Sequence, residues 1–495
     1  MNPSLHNDWR DKLPMLLLML GPVLYLAAVL ASGYEDGMNI IELMGRFAKL
    51  VERPFSLRWT GHTLKFMLVA VVAYGVTILF LFSTKENKRT GEEHGSARWG
   101  SARQLDRKYR DKDPERNTVL TQHVSMSLDG RKHRRNLLQI VVGGSGSGKT
   151  RFFAKPNLME ANCSYVVCDP KGEMLRSIAP LLLEKGYVVK VFDLIDTKHS
   201  NCFNPFAYLH DDKDVMKMVN NLIKNTTPKD AQQNDPFWER SEIALDTAII
   251  LYLIHEAPPE EQTLDMVLYM LNCAGASEDD ESYQSPLDLL FEALEDEEPD
   301  HVAVREYQIF KQAEGRTAKS ILITAAVRLS AFILPEINRI TSHDELELHL
   351  LGERKQAVFC VIPDNDSTFS FLVGMLYTCT FQSLYYRADK LHQGGLPVPV
   401  RLMMDEFCNV ALPDEFGKIQ ATMRSRNIMS TIILQNISAL KALYKNEWEG
   451  LLGNADTMLY LGGNEQSTHK YISEMLGKQT IKVQSSGQTK GRNGS

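Results

Sequence analysis

The stretch Leu137-Leu-Gln-Ile-Val-Val-Gly-Gly-Ser-Gly-Ser-Gly-Lys-Thr150 decides the fold. Its first six residues form an apolar run of the kind a strand buried on both faces requires. Gly143, Gly144, Ser145, Gly146, Ser147 and Gly148 then make a small-residue loop, and a helix is predicted from Thr150. In this GxxxxGK[ST] pattern the glycines let backbone N–H groups converge on phosphates, and the helix start adds the positive end of its dipole. Lys149 is expected to reach the β- and γ-phosphates, and Thr150 to ligate Mg²⁺. The cofactors expected are therefore ATP and Mg²⁺.

Further strands are predicted at 164–169 (SYVVCD) and 187–193 (YVVKVFD), with a helix around Glu173–Lys185 between them. This βαβ alternation implies a parallel sheet. From about Tyr208 to Thr341 the apolar spacing turns helical. Strands resume at 357–362, 400–405, 431–435 and 458–463. The fold class expected is thus α/β, with a parallel central sheet, an inserted all-α domain and two N-terminal transmembrane helices.

A P-loop needs an acidic partner on a neighbouring strand. Asp405 closes the hydrophobic stretch PVPVRLMMD, where it can organise Mg²⁺, and Glu406 is placed to orient or deprotonate the attacking water. Gln435 ends the next strand, either as a sensor of the γ-phosphate or as a core amide. Arg424, and less so Arg426, in MRSRNI fits an arginine supplied to a neighbouring subunit; the plainer reading is a surface basic pair.

Composition bounds the rest. The 495 residues are 44% hydrophobic with a net charge of −7, which excludes a disordered tail and a globally basic nucleic-acid binder. The seven cysteines include no CxxC pair, so reduced, mostly buried thiols are expected and a zinc site is not. Leu13–Tyr34 and 66–84 carry no charge and are long enough to cross a bilayer. A cleavable signal peptide is the alternative for the first, a buried helix for the second. Residues 85–135 hold 14 Lys/Arg against 8 Asp/Glu, fitting a juxtamembrane connector or a DNA-phosphate contact. Residues 241–304 hold 17 Asp/Glu and no Lys or Arg, which repels phosphate backbones. That block is either a solvated face or a docking surface for a basic protein segment. The expected segments are 1–84 (membrane anchor, spans near 13–34 and 64–84), 85–207 and 346–495 (nucleotide-binding domain in two parts) and 208–345 (acidic insert).

Several motifs occur in order: Gly95-Ser-Ala-Arg-Trp-Gly100, Asp169-Pro-Lys-Gly-Glu173, Asn204-Pro205-Phe206, Asp235-Pro-Phe-Trp238, residues 314–322 (EGRTAKSIL), Asp405-Glu406-Phe407 and Gln435. Together they resemble the type IV secretion coupling proteins of the TraG/TraD conjugation family, over nearly the whole chain. The resemblance implies a RecA-like P-loop ATPase, anchored in the inner membrane by more than one span with its motor in the cytoplasm, and assembled as a homohexamer. It also implies partners: a relaxase bound to single-stranded DNA, and the proteins of a type IV secretion channel. Asp169 and Lys171 are expected near the nucleotide or the subunit boundary. Family members often continue past the polar tail 482–495, so a truncated C-terminus is expected. Two alternatives stand beside this reading: a septal-type DNA translocase and a coupling ATPase for protein effectors alone. No LSGGQ-like signature supports an ABC transporter.

Overall fold

A computed structural model describes residues 8–52, 57–83, 95–227, 236–275, 283–313, 315–363, 366, 368–409, 412–413 and 416–481. Asp235, Glu314, most of the acidic loop at 276–282, the start of the basic segment and the tail from 482 lie outside these residues. The chain divides into two compact units, residues 98–477 and the flanking segments on either side.

In the flanking unit, helices Asp8–Ser32 and Thr63–Ser83 contain apolar stretches of 19 residues, Pro14–Ser32 and Thr63–Leu81. Both are long and apolar enough to cross a membrane. The first ends two residues before the expected Tyr34, where Gly33 N–H bonds back to Leu30 O. They pack on one another, and the Tyr74 hydroxyl donates to Leu16 O at 3.0 Å. The connection contains a helix, Ile40–Val51, exposing Ile40, Ile41 and Met44.

The larger unit is built on a seven-stranded, wholly parallel sheet. Strands β1 (Asn117–Thr121) and β2 (Val124–Ser127) form a separate antiparallel hairpin. The sheet comprises β3 (Gln139–Val142), β4 (Ser164–Pro170), β5 (Val188–Asp193), β6 (Gln356–Ile362), β7 (Val400–Met404), β8 (Ile428–Leu434) and β9 (Thr457–Tyr460). Their spatial order is β5-β6-β4-β7-β8-β3-β9. Every residue of β3, β6, β7 and β8 is buried, as continuous apolar runs require. The hairpin lies inside the segment read as a basic connector. Several of its cations are paired within the chain: Lys132 with Asp111, and Arg135 with Asp456 at 3.1 Å.

Between β5 and β6 the described residues form helices and turns and no strand. Their core is continuous with one face of the sheet, while a second cluster around Phe153, Tyr165 and Met403 covers the other. The helical block thus serves as a covering layer for β3, β4 and β6, and Ser370–Tyr386 joins the same layer. Two ionisable clusters lie in these interiors. On β7, Arg401 is 1% exposed; its guanidinium donates to Thr118 Oγ1 (3.1 Å) and Asn157 Oδ1 (3.0 Å). Within the helical block, Glu242 forms a bidentate pair with Arg328 at 2.7 and 3.1 Å. One turn on, Asp246 is buried with neither carboxylate oxygen hydrogen-bonded.

Burial, reinforced by the Glu242 charge, pushes the Asp246 carboxyl up to about 8. The folded state therefore binds a proton that the unfolded chain releases near pH ~4. The resulting stability is fully present below that range and is lost as pH rises through about 8. Thermal unfolding followed from about pH 5 to about pH 9 is expected to show a falling midpoint, and Asp246→Asn to flatten the slope.

Candidate nucleotide site

The site is assembled at the carboxyl ends of β3, β7 and β8. Val142 ends β3, and Gly143 N–H and Gly144 N–H are held by Leu434 O (3.0 Å) and Gly462 O (2.9 Å). Gly146 and Gly148 adopt φ of 76° and 84°, the left-handed conformation that bends the loop around its centre. A side chain at Gly143 would place its Cβ 2.4 Å from Ser147 Oγ and 3.1 Å from Leu461 Cβ. The loop therefore requires glycine there for packing as well. The chain then winds through Lys149–Ala154 and Lys155–Met159, a helix wide-coiled in its first turn.

Lys149 Nζ folds over the loop and donates to Gly143 O (2.7 Å) and Gly144 O (3.0 Å). Its partial burial lowers the ammonium pKa, and the nearby Asp405 and Glu406 carboxylates oppose that shift. Thr150 Oγ1 donates to Asp405 Oδ2 at 2.7 Å. The acid is not on the strand next to the P-loop strand: β8 lies between β3 and β7. The hydrogen bond reaches across because Asp405 follows the last residue of β7 and Thr150 opens the helix above the sheet edge. Burial raises the Asp405 carboxyl, the Thr150 and Glu406 donors partly countering it. Two hard oxygen donors held side by side, facing a lysine ammonium, suit Mg²⁺ beside a polyphosphate.

Glu406 is half-buried, its N–H bonds to Asp405 Oδ1 at 3.0 Å, and its φ is 49°. A non-glycine residue in this region carries about 1–2 kcal/mol of backbone strain, which fixes where its carboxylate leaves the strand end. Asp169, at the end of β4, accepts from Met174 N (3.0 Å) and Leu175 N (2.7 Å) and so caps helix Glu173–Glu184. Burial raises its carboxyl, and the Asp405 charge adds to that shift, so both acids belong to one sheet edge. Lys171 and Gly172 turn the chain with φ of 68° and 67°.

Gln435 is exposed at the end of β8, immediately between the P-loop and Asp405, and is not a core amide. Arg424 is exposed and donates to Gly130 O at 3.3 Å, before the start of β3. That is the opposite edge of the sheet. The seven residues of β8 span roughly 23 Å, beyond the reach of an arginine toward its own P-loop. Arg426 is engaged locally, bidentate to Asp389 (2.9 and 2.7 Å) and stacked over Tyr385. Of the expected residues, the structure thus gathers Gly143–Thr150, Asp405, Glu406 and Gln435, and leaves Arg424 apart. Sequence reasoning missed the Leu461–Gly463 turn, whose Gly462 carbonyl braces the P-loop; the signal was the glycine pair after a strand. It also missed Phe152, exposed beside Gly148.

Residues 98–495 match the family model described as "Type IV secretory system Conjugative DNA transfer". VirD4 of Agrobacterium fabrum is 23% identical over 490 residues, covering 94% of this chain and 69% of that protein. The conjugal transfer protein TraG of Escherichia coli is 23% identical, over 84% of this chain and 69% of its own length. Among solved structures, the plasmid coupling protein TrwB with a non-hydrolysable ATP analogue aligns over 79% of this chain and 86% of its own, at TM-score 0.57 and 16% identity. TrwB with sulphate gives 0.58 over 79% of this chain and 85% of its own, at 16% identity. These likenesses establish the RecA-like fold.

Thr150→Val keeps the shape and removes the bond to Asp405. Leaving a buried carboxyl short of a donor costs about 1–3 kcal/mol, so an unfolding free energy from denaturant titration lowered by that amount, with an earlier midpoint, is the expected outcome.

Proposed function

The chain belongs to the type IV secretory system family of conjugative DNA transfer proteins, and from that premise we propose that it is the coupling ATPase of a conjugation system. In this reading it receives a relaxase with its single-stranded DNA and drives both into the secretion channel by ATP hydrolysis. The observation that carries it is the Thr150 hydroxyl bonded to Asp405 at 2.7 Å, with the Glu406 N–H on the same carboxylate at 3.0 Å and the Lys149 ammonium held on the P-loop carbonyls at 2.7 and 3.0 Å. The nucleotide-bound forms of TrwB support the cofactor assignment of ATP with Mg²⁺. The chain spans 69% of the length of VirD4 and TraG.

The roles follow from chemistry. Gly143, Gly144 and Ser147, whose N–H groups bond to Leu434 O, Gly462 O and Gly144 O, shape the loop; the N–H groups of Ser145, Gly146 and Gly148 hold phosphate oxygens, and Lys149 neutralises them as its ammonium leaves the loop carbonyls. Thr150 and Asp405 supply oxygen ligands to Mg²⁺, which withdraws charge from the phosphate when bound. Glu406 accepts a proton from, or orients, the attacking water. Gln435, exposed between the two halves of the site, reports the phosphate to the loop after β8. Arg424 acts on the neighbour's nucleotide, because its own P-loop is at the far edge of the sheet. That placement requires an oligomer closed head to tail, for which a homohexamer is the family's form. The two apolar helices anchor it in the inner membrane as a multi-pass protein with residues 98–477 in the cytoplasm. The segments 85–207 and 346–495 act as the motor. The block 208–345, acidic over 241–304, acts as a docking module for basic cargo.

Hydrolysis by the full chain in detergent is expected to rise with single-stranded DNA and to fall back at high salt. Lys149→Ala abolishes it together with nucleotide binding, whereas Glu406→Gln retains binding and loses turnover by about 10²–10⁴-fold. Indifference to DNA would favour export of protein alone.

Arg424→Ala mixed with Lys149→Ala distinguishes the trans role. Each variant alone is inactive. In mixed rings some interfaces pair an intact P-loop with an intact Arg424, so activity returns in part. An arginine acting within its own chain gives no such recovery.

A further inference from the structure

Cys202 leaves β5 toward the helical block, and His343 and Glu345 follow Pro335–Thr341 where the chain returns. The two crossings are stitched together. Phe203 N–H donates to Ile340 O at 2.7 Å, Glu345 N–H to Cys202 O at 2.9 Å, and Cys202 N–H to Glu345 Oε2 at 2.8 Å. At this neck Cys202 Sγ, a ring nitrogen of His343 and a carboxylate oxygen of Glu345 lie within 4.8 Å of one another.

Neighbouring hydrogen bonds orient the His343 and Glu345 side chains. Ser342 Oγ donates its proton to Arg339 O at 2.9 Å and sits 3.0 Å from His343 Nδ1. Nδ1 must then be the donor, so in the neutral imidazole Nε2 carries the lone pair. Nε2 faces Glu345 Oε1 at 3.8 Å, too far apart for a direct hydrogen bond. Glu345 Oε2 is held by Cys202 N–H and by Asn201 Nδ2 at 3.4 Å, which turns Oε1 toward the imidazole. Both ligands thus have the outer hydrogen bonds that orient metal-binding side chains. Zinc with bonds of ~2.0–2.3 Å sets tetrahedral ligand atoms ~3.3–3.8 Å apart; His343 Nε2 and Glu345 Oε1 lie 3.8 Å apart, and all three ligand atoms lie within 4.8 Å of one another. Cys202 is buried while His343 is exposed, which gives an ion an open approach and leaves a fourth position for water.

We propose that Cys202, His343 and Glu345 bind Zn²⁺, clamping the entry and exit of the helical block to each other. Burial, with the Glu345 carboxylate adding to it, holds the Cys202 thiol protonated, its S–H donating to Arg339 O at 3.2 Å. Binding therefore releases the thiol proton to solvent as the Zn–S bond forms, and affinity rises with pH. The Arg339 guanidinium, 4.0 Å from Sγ, partly offsets the thiolate charge.

The test uses the full chain, stripped with a chelator and titrated with Co²⁺. A thiolate-to-cobalt charge-transfer band saturating at about one equivalent per chain is expected, and Zn²⁺ displaces it. Co²⁺ at the P-loop has only oxygen ligands and gives no such band. Cys202→Ser removes the band, and His343→Ala, a change at an exposed residue, weakens the affinity by more than about tenfold. Retained nucleotide binding in His343→Ala establishes that the fold is intact. Absence of the band, or a band that survives Cys202→Ser and is unmoved by His343→Ala, overturns the proposal.

Discussion

The hydrogen bond from Thr150 to Asp405 joins residues 255 positions apart, and most of the architecture serves to make it. Asp405 reaches the P-loop only if β7 and β8 insert between β4 and β3, and that order leaves the helical block to be accommodated on a face of the sheet. The bond is short, partly buried and between groups that both prefer other partners in water. It persists because strands on either side fix the two chain ends. What looks like a local feature of a nucleotide site is thus a statement about the whole parallel sheet.

Much of this was legible in the sequence, and the reasons are physical. Strands buried on both faces are mostly apolar, so β3, β4, β6, β7 and β8 stand out as apolar runs, and the P-loop identifies itself by its glycines. Strand order left no such mark. Nothing in VRLMMD or TIILQ states that β8 separates Asp405 from the P-loop strand, because register and neighbour choice depend on packing between distant segments. The β1–β2 hairpin was hidden for a different reason: its short strands lie in a charged stretch, and their pairing is local. Arg401 shows the limit most clearly. A cation inside a hydrophobic strand reads as an edge position, yet it is buried, hydrogen-bonded to Thr118 of the hairpin and to Asn157. Its environment comes from a helix and a hairpin more than 240 residues upstream.

Cysteine patterning illustrates the same limit for a candidate metal centre. Clustered spacings reveal ligands carried on one turn. Cys202 lies about 140 residues from His343 and Glu345, and only the return of the chain to the sheet brings them together. The interior of the helical block differs again. Asp246 sits in a helix whose periodicity gave no hint that its carboxyl would be enclosed without a donor, since amphipathic pattern reports which face is covered and not what lies opposite.

The strand order has a consequence for the chain as it is made. Both neighbours of β3 lie far downstream, β8 starting at Ile428 and β9 ending at Tyr460. Ribosomal synthesis at about 5–20 residues per second leaves roughly 15–60 seconds in which this largely apolar strand has emerged and has no partner on either side. The two apolar helices, by contrast, are complete before it appears. The nascent polypeptide then carries an unprotected hydrophobic segment until the last strands arrive.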